Sequence, residues 1–228
     1  MGLLIVIDGP AGAGKSTVAR RVARHFGLPV LDTGAIYRTL ALVARERGIA
    51  WDDEARLAEL AAALPIRFAP SPDEDGRPRV LCDGRDVTQA IRTPEISEGA
   101  SKVSVLPAVR AQLLDLQRRL GEGGCVAEGR DLGTVVFPHA PYKFFLTASD
   151  AVRAARRQGE LKGAEFAEVL RDLNRRDERD RSRAAAPMVP AKDAVLVDSS
   201  DLAVEAVVAA IVARVEAGQA AAGGGGAG

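Results

Sequence analysis

The sequence predicts an α/β domain, a parallel sheet flanked by helices, with a small antiparallel β insertion. Three observations carry this prediction. Apolar, β-branched runs alternate with helical-period stretches along most of the chain. A Gly-rich loop joins the first such run to the first helix. Between residues 66 and 87 the alternation gives way to short strands separated by turn residues.

The first strand is Leu3-Leu4-Ile5-Val6-Ile7, and a helix runs from Thr17 to Phe26. Between them stands Gly9-Pro10-Ala11-Gly12-Ala13-Gly14-Lys15-Ser16-Thr17, a full match to G-x-x-x-x-G-K-[ST]. Gly9, Gly12 and Gly14 let the backbone turn its N–H groups inward, and those amides with the helix N-terminus cradle phosphates. Lys15 adds a point charge at the transferring group, and the Ser16 hydroxyl is a candidate Mg²⁺ ligand. The fold expected is therefore of the P-loop NTPase type, and the chain is expected to bind a nucleoside triphosphate.

The remaining elements follow in order. Leu28-Pro29-Val30-Leu31 is a second short strand, and the turn Asp32-Thr33-Gly34 caps a helix from about Ala35 to Gly48. Tyr37 and Arg38 fall in its first turn, at the carboxyl end of the strand, where open α/β sheets hold ligands. A helix from Asp52 puts Leu57, Leu60 and Leu64 on one face. Strands at 66–68 and 79–82 flank a polar turn at 70–78, and Asp83-Gly84 forms a hairpin into 85–87. Helices follow at 93–104 and 107–120, with Pro107 suited to a first turn. Cys125-Val126-Ala127 and Lys143-Phe144-Phe145-Leu146 resume the parallel core. A helix capped by Ser149 or Asp150, a break at 159–163 and a long helix from Ala164 towards Arg183 come next. Ala194-Val195-Leu196-Val197 is the last strand, and the last helix runs from about Leu202 to Glu216. The Ala/Gly stretch at 219–228 reads as a disordered tail.

Composition narrows the function. The 228 residues suit one domain with insertions, and 47% apolar content suffices for a core. Zero formal net charge offers no electrostatic reason for a nucleic-acid or membrane partner. No apolar run approaches bilayer length, and residues 1–8 enter the first strand without a basic-then-apolar leader, so the expected compartment is the cytoplasm. The two cysteines, Cys82 and Cys125, form no metal or redox motif. The two histidines, His25 and His139, read as structural or surface residues. Arginine heavily outnumbers lysine. Genomic composition accounts for part of that bias, so only the placement of individual arginines is informative.

Among P-loop classes, a regulatory GTPase needs an N-K-x-D segment, which is absent. A motor or transporter ATPase needs an apolar strand ending in an acidic pair, which is also absent. A small-molecule kinase needs an acceptor pocket and a lid that excludes water from the γ-phosphate. The alternatives carried forward are a kinase for another monophosphate such as UMP, and a switch that binds ATP without an acceptor.

Four stretches then resemble bacterial cytidylate kinases: 7–16; 31–38 (Leu-Asp-Thr-Gly-Ala-Ile-Tyr-Arg); 128–138 (Glu-Gly-Arg-Asp-Leu-Gly-Thr-Val-Val-Phe-Pro); and 176–183 (Arg-Asp-Glu-Arg-Asp-Arg-Ser-Arg). The similarity covers roughly residues 3–215. It implies transfer of the γ-phosphate of ATP, with Mg²⁺, to CMP or dCMP in pyrimidine nucleotide metabolism, by a monomer. It implies a core at 1–36, 122–150 and 184–218, a CMP-binding region at about 37–121 with its β insertion at about 65–88, and a lid with its following helix at about 151–183.

By that resemblance, Thr33, Gly34, Tyr37, Arg38, Arg130, Arg176, Asp180 and Arg183 surround the acceptor. Arg38, Arg130 and Arg183 clamp its phosphate, Arg176 also reaches phosphates, and Asp180 takes the ribose hydroxyls. Arg153, Arg156 and Arg157, with Lys162 as a weaker candidate, close over ATP, and Lys15, Arg130, Arg183, Arg153 and Arg157 are assigned to catalysis. Asp131, Arg110 and Ser101 read the base. Cytosine offers an N4 donor and two acceptors, so a carboxylate and an arginine suit it, whereas the O4 of uracil would face the carboxylate. A phosphate acceptor is already anionic and needs no strong base; alignment and charge neutralisation suffice. Asp8 and Asp32 are candidates either for metal waters or for helix capping. Glu128 stands where a shorter Asp is expected in some relatives.

Overall fold

The computed structural model of the protein describes residues 2–70, 76–161 and 163–224. Lys162, the middle of the turn expected at 70–78 and residues 225–228 lie outside the described residues. The chain runs β1 (Leu4–Asp8), α1 (Lys15–Phe26), β2 (Val30–Asp32), α2 (Thr33–Glu46), α3 (Glu54–Ala62), β3 (Ile66–Ala69), β4 (Arg79–Cys82) and β5 (Arg85–Asp86). A short 3-10 turn (Ala90–Arg92), α4 (Pro94–Val103) and α5 (Pro107–Leu120) follow, then β6 (Cys125–Gly129) and a π-type turn (Leu132–Val136). The chain continues through β7 (Tyr142–Thr147), α6 (Asp150–Glu160), α7 (Phe166–Ser182), β8 (Val195–Asp198) and α8 (Val204–Gly224).

Five strands form a parallel sheet in the order β2-β6-β1-β7-β8. Alternation along β1 explains why the sheet is covered twice. Ile5 and Ile7 pack with Val126, Phe144 and Leu146 against Val18 and Val22 of α1 and Val207, Ile211 and Val215 of α8. Val6, one residue out of phase, joins Leu31 and Ala127 on the opposite face, against Leu132, Val136 and Phe137. Continuous apolar runs are what strands buried on both faces require.

The insertion is the antiparallel sheet β3-β4-β5. Asp83 and Gly84, with φ of 51° and 73°, make the two-residue turn that pairs Cys82 with Arg85. Positive φ at both positions matches the twist of the flanking strands. Ile66, Val80 and Cys82 pack into one apolar cluster with Leu57, Ile91, Ile96 and Leu113, so the insertion is part of the body built by α2 to α5.

The strand register positions the site. Asp8 of β1 is level with Gly129 of β6, and Asp32 of β2 with Glu128. Three loops therefore leave adjacent strands at their carboxyl ends: the Gly-rich loop, the segment from Thr33, and the segment from Arg130. One expectation fails at the other end of the chain. Helix α8 continues to Gly224, so residues 219–224, read as disordered, are helical. Their Gln-Ala-Ala-Ala run has high intrinsic helix propensity and extends a helix already nucleated by packing.

Candidate active site

A cleft of about 850 Å³ opens at the carboxyl edge of the parallel sheet. Its lining includes the loop from Ala11 to Thr17, then Thr33, Gly34, Tyr37 and Arg38, then Ser101 and Arg110, Arg130 and Asp131, Arg156 and Arg157, and Arg176, Asp180 and Arg183. Segments from opposite ends of the chain, Ala11 at one extreme and Val207 at the other, thus meet around one space.

The loop owes its shape to its glycines. Gly9 has φ of 141°, and a Cβ there would stand 1.9 Å from the Leu146 carbonyl oxygen. Gly12, at φ 76°, would place a Cβ 2.8 Å from the Arg153 carbonyl oxygen. No other residue fits either position without moving backbone. Lys15 is buried, and its ammonium donates to the Pro10 carbonyl at 2.7 Å. Burial, followed by the neighbouring Arg130, pushes Lys15 down to about 7 against the pull of Glu128, Asp177 and Asp8. The lysine is therefore set to gain from a polyanion. Ser16 donates its hydroxyl to Glu128 at 2.8 Å. Glu128 is itself pushed up, first by burial and then by Asp32.

Asp8 and Asp32 both cap backbone. Asp8 accepts from the N–H groups of Leu132 at 3.0 Å and Gly133 at 2.8 Å, which fixes the π-type turn beside the loop. Burial nonetheless raises it to about 6. Asp32 accepts from Ala35 N–H at 2.9 Å at the start of α2 and pairs with Arg38 at 2.7 Å. Among the described residues, no group of three or more His, Cys, Asp and Glu side chains could hold a metal ion.

On the far side, carboxylates and guanidiniums hold one another. Arg110 pairs with Asp131, donates to the Ser104 carbonyl at 3.3 Å, and stands 5.8 Å over the Tyr37 ring. Asp180 takes Arg130 at 3.0 Å and also Arg183. Burial works against the Asp180 carboxylate, but Arg130, Arg183 and Arg176 together hold it below its ordinary range. Asp131 moves the other way: burial raises it despite Arg110 and Arg183. Arg176, half-buried with Arg130 near it, falls to about 10, mainly through loss of water around its charge. Such a crowd of cations is unfavourable without an anion, and the Nε atoms of Arg38, Arg92 and Arg183 are buried with no hydrogen-bond partner.

The profile of the cytidylate kinase family matches residues 5–217. The chain belongs to the cytidylate kinase family. Its relatives include the cytidylate kinase of Pseudomonas paraeruginosa, 48% identical with 93% of this chain and 95% of the relative covered. The cytidylate kinase of Pelotomaculum thermopropionicum is 47% identical, covering 94% and 96%. A crystal structure of an uncharacterized protein from Eubacterium ventriosum, 12% identical, superposes with a TM-score of 0.51 over 94% of this chain and 98% of that one. At that identity it speaks for the fold alone.

Set beside the family's expected site, the cytidylate kinase cleft holds most of the assigned residues, with three departures. Gly9 and Pro10 support the loop from behind and do not line the cleft. Arg153, assigned with Arg157 to catalysis over ATP, is turned the opposite way. It is 2% exposed and donates to the Ala11 carbonyl at 2.9 Å, the Ala148 carbonyl at 3.2 Å and Asp150 at 2.6 Å, and it pairs with Asp177. Every nitrogen of its guanidinium is engaged beneath the loop, so it has none to offer ATP. The three arginines share one face of α6 at i, i+3 and i+4, and the difference lies one turn along the helix: Arg153 sits under Ala11 and against Asp177, whereas Arg156 and Arg157 reach the cleft.

The cleft also takes in residues that sequence reasoning missed. Arg92, from the 3-10 turn, lies 3.9 Å from Asp32, and Ser199 accepts from Arg156 Nη1 at 2.9 Å. Outside the lining, Arg179 donates to Ser101 at 3.3 Å and is held by Glu98 at 2.7 Å. Arg92 does not stand in an informative sequence context. The turn at 90–92 has no strong periodic signal, and the resemblance over 176–183 assigns Arg179 no role of its own.

Proposed function

We propose that the protein transfers the γ-phosphate of ATP to CMP or dCMP, giving ADP and the corresponding diphosphate. The observation that carries this reading is the sharing of one cleft by the phosphate loop and by the paired Arg110 and Asp131. A protein that only bound ATP would have no ligand for the arginines gathered opposite the loop. The loop amides and Lys15 hold the donor phosphates, Arg156 and Arg157 close the donor side, and Arg38, Arg130, Arg176 and Arg183 hold the acceptor phosphate in line. Arg92 joins this clamp from the 3-10 turn. Thr33, Gly34 and Tyr37 shape the acceptor wall. Asp180 meets the ribose, and Asp131, Arg110 and Ser101 read the base.

The acceptor attacks as an anion, so these residues align the two phosphates, exclude water and neutralise charge. Mg²⁺ fits the donor set present: the exposed Ser16 hydroxyl is a hard oxygen ligand at the loop, and Glu128 beside it orients that hydroxyl. Held there, the ion would supply positive charge to offset that of the donor phosphates. Asp8 and Asp32 act through the backbone they cap. We further propose a monomer working in the cytoplasm, partnered by nucleotides and by neither nucleic acid nor membrane. In support, among the described residues no helix is long and apolar enough to cross a membrane, and the net charge is zero.

Diphosphate formation from ATP and Mg²⁺, with CMP, dCMP, UMP, AMP and GMP offered in parallel, tests the reading. Selective turnover of CMP and dCMP is expected. Turnover of a different monophosphate would overturn the base-reading roles, and ATP binding without any transfer would overturn the kinase.

A further inference from the structure

Ala11, at the crest of the phosphate loop, spends both of its backbone polar groups on the two lid helices. Its carbonyl accepts from Arg153 Nη1 of α6 at 2.9 Å, and its N–H donates to Asp177 Oδ1 of α7 at 3.3 Å. The two side chains also pair with each other, and they are only 2% and 1% exposed. The Gly12 position presses on the Arg153 backbone closely enough to exclude a Cβ. Ala11, Ala154, Val169 and Leu173 seal the pair in an apolar cluster of its own. The fold did not need a charge pair here. Removing two ions from water costs several kcal/mol each, and apolar side chains of similar volume often serve stability as well or better. What an apolar pair lacks is a donor and an acceptor aimed at one peptide unit.

We propose that Arg153 and Asp177 are positioning residues that tie the crest of the phosphate loop to both helices flanking the lid. Neither touches the reacting atoms. The segment between α6 and α7 is bracketed by helices that share this one anchor. Arg156 and Arg157 lie on the first helix, and Arg176 and Asp180 on the second. Through these ties the pair keeps the loop's amides directed at the donor phosphates. The consequence falls on the donor side. ATP affinity depends on the pair, whereas CMP affinity does not, because Asp180 is held by Arg130 and Arg183 independently of it. This inference rests on the phosphoryl-transfer reading for the identity of its two ligands.

Two variants test it, with ATP binding followed by titration calorimetry and CMP by its KM at saturating ATP. Asp177→Asn keeps the shape and an acceptor for the Ala11 N–H but removes the charge that fixes Arg153. It is expected to weaken ATP binding about tenfold, the scale of one lost buried polar contact, and to leave the KM for CMP unchanged. Arg153→Met combined with Asp177→Leu replaces the pair by apolar groups, and is expected to unfold near the wild-type Tm while ATP binding stays about tenfold weaker. A purely structural role predicts the opposite, with ATP binding recovering along with Tm. Wild-type ATP binding in either folded variant overturns the proposal, as does an equal loss for CMP. Should the double variant fail to fold, Asp177→Asn decides alone. Wild-type turnover of CMP, measured in parallel, tests the underlying reading separately, because the calorimetry does not depend on it.

Discussion

The two ends of the cleft hold phosphate by different means. The donor end is made mostly of backbone: a loop whose shape follows from glycines that tolerate no Cβ, and one lysine folded onto the Pro10 carbonyl. The acceptor end is made of side chains, and before any ligand arrives these neutralise one another through Arg110 with Asp131, and Arg130 and Arg183 with Asp180. A backbone cradle is fixed once the chain folds and stays fixed whether or not phosphate is present. A side-chain clamp must be held open by internal partners that the ligand then replaces or joins. On the proposed reading, the donor end suits a chain of phosphates and the acceptor end the choice of a monophosphate.

Breaking the donor end should cost the most. Lys15→Ala removes the charge at the transferring group and is expected to lower kcat about 10²- to 10³-fold for every acceptor, with ATP still bound. Steady-state kinetics with CMP and dCMP check this. Breaking the acceptor clamp at Arg130 should cost less and fall on one substrate. Arg130→Ala is expected to lower kcat/KM for CMP roughly 10- to 100-fold, partly because Asp180 is left under-compensated, with ATP affinity nearly unchanged.

A third effect sharpens the contrast through pH. In the free protein Lys15 titrates at about 7, well below its ordinary value, because burial and Arg130 disfavour its charge. Bound triphosphate supplies the missing anion and keeps the lysine protonated. Above pH 7, ATP binding must therefore take up a proton, and affinity should fall by up to about tenfold per pH unit. Calorimetry at pH 8 in buffers of different ionisation enthalpy reads this uptake. The same group contributes to stability with the opposite slope. Between pH 7 and its unfolded value the unfolded chain carries the proton and the free native state does not, so its contribution to stability rises with pH. The smallest effect is expected at the C-terminus. Deleting residues 220–228 removes the exposed helical residues 220–222 with all that follows them, beyond Gly218 where it lies against Tyr142, and should leave both Tm and activity within error.

The contrast also explains what was legible in the sequence. The donor end could be read because a strand, a glycine loop, a lysine and a helix are contiguous, and local backbone sterics fix their arrangement. The parallel strands and most helices were readable for the same reason, since each carries its own periodicity and cap. Asp8 was not assignable, because its partners Leu132 and Gly133 are brought to it only by the pairing of β1 with β6. Arg153 was misplaced for a related reason. Within α6, the direction that faces the cleft is set by α7 and by Ala11, neither of which is near in sequence. Arg92 escaped notice because a three-residue turn has no pattern to read. The tail was misjudged because low complexity was weighed above the helix propensity of alanine.

The most direct test of this account is the ratio of kcat/KM for CMP over UMP, in the wild type and in Asp131→Asn. If Asp131 accepts from the cytosine amine, the wild type should favour CMP strongly, and the variant should lose at least about tenfold more with CMP than with UMP. An equal loss with both acceptors would contradict base reading at the acceptor end and leave Asp131 only the task of holding Arg110.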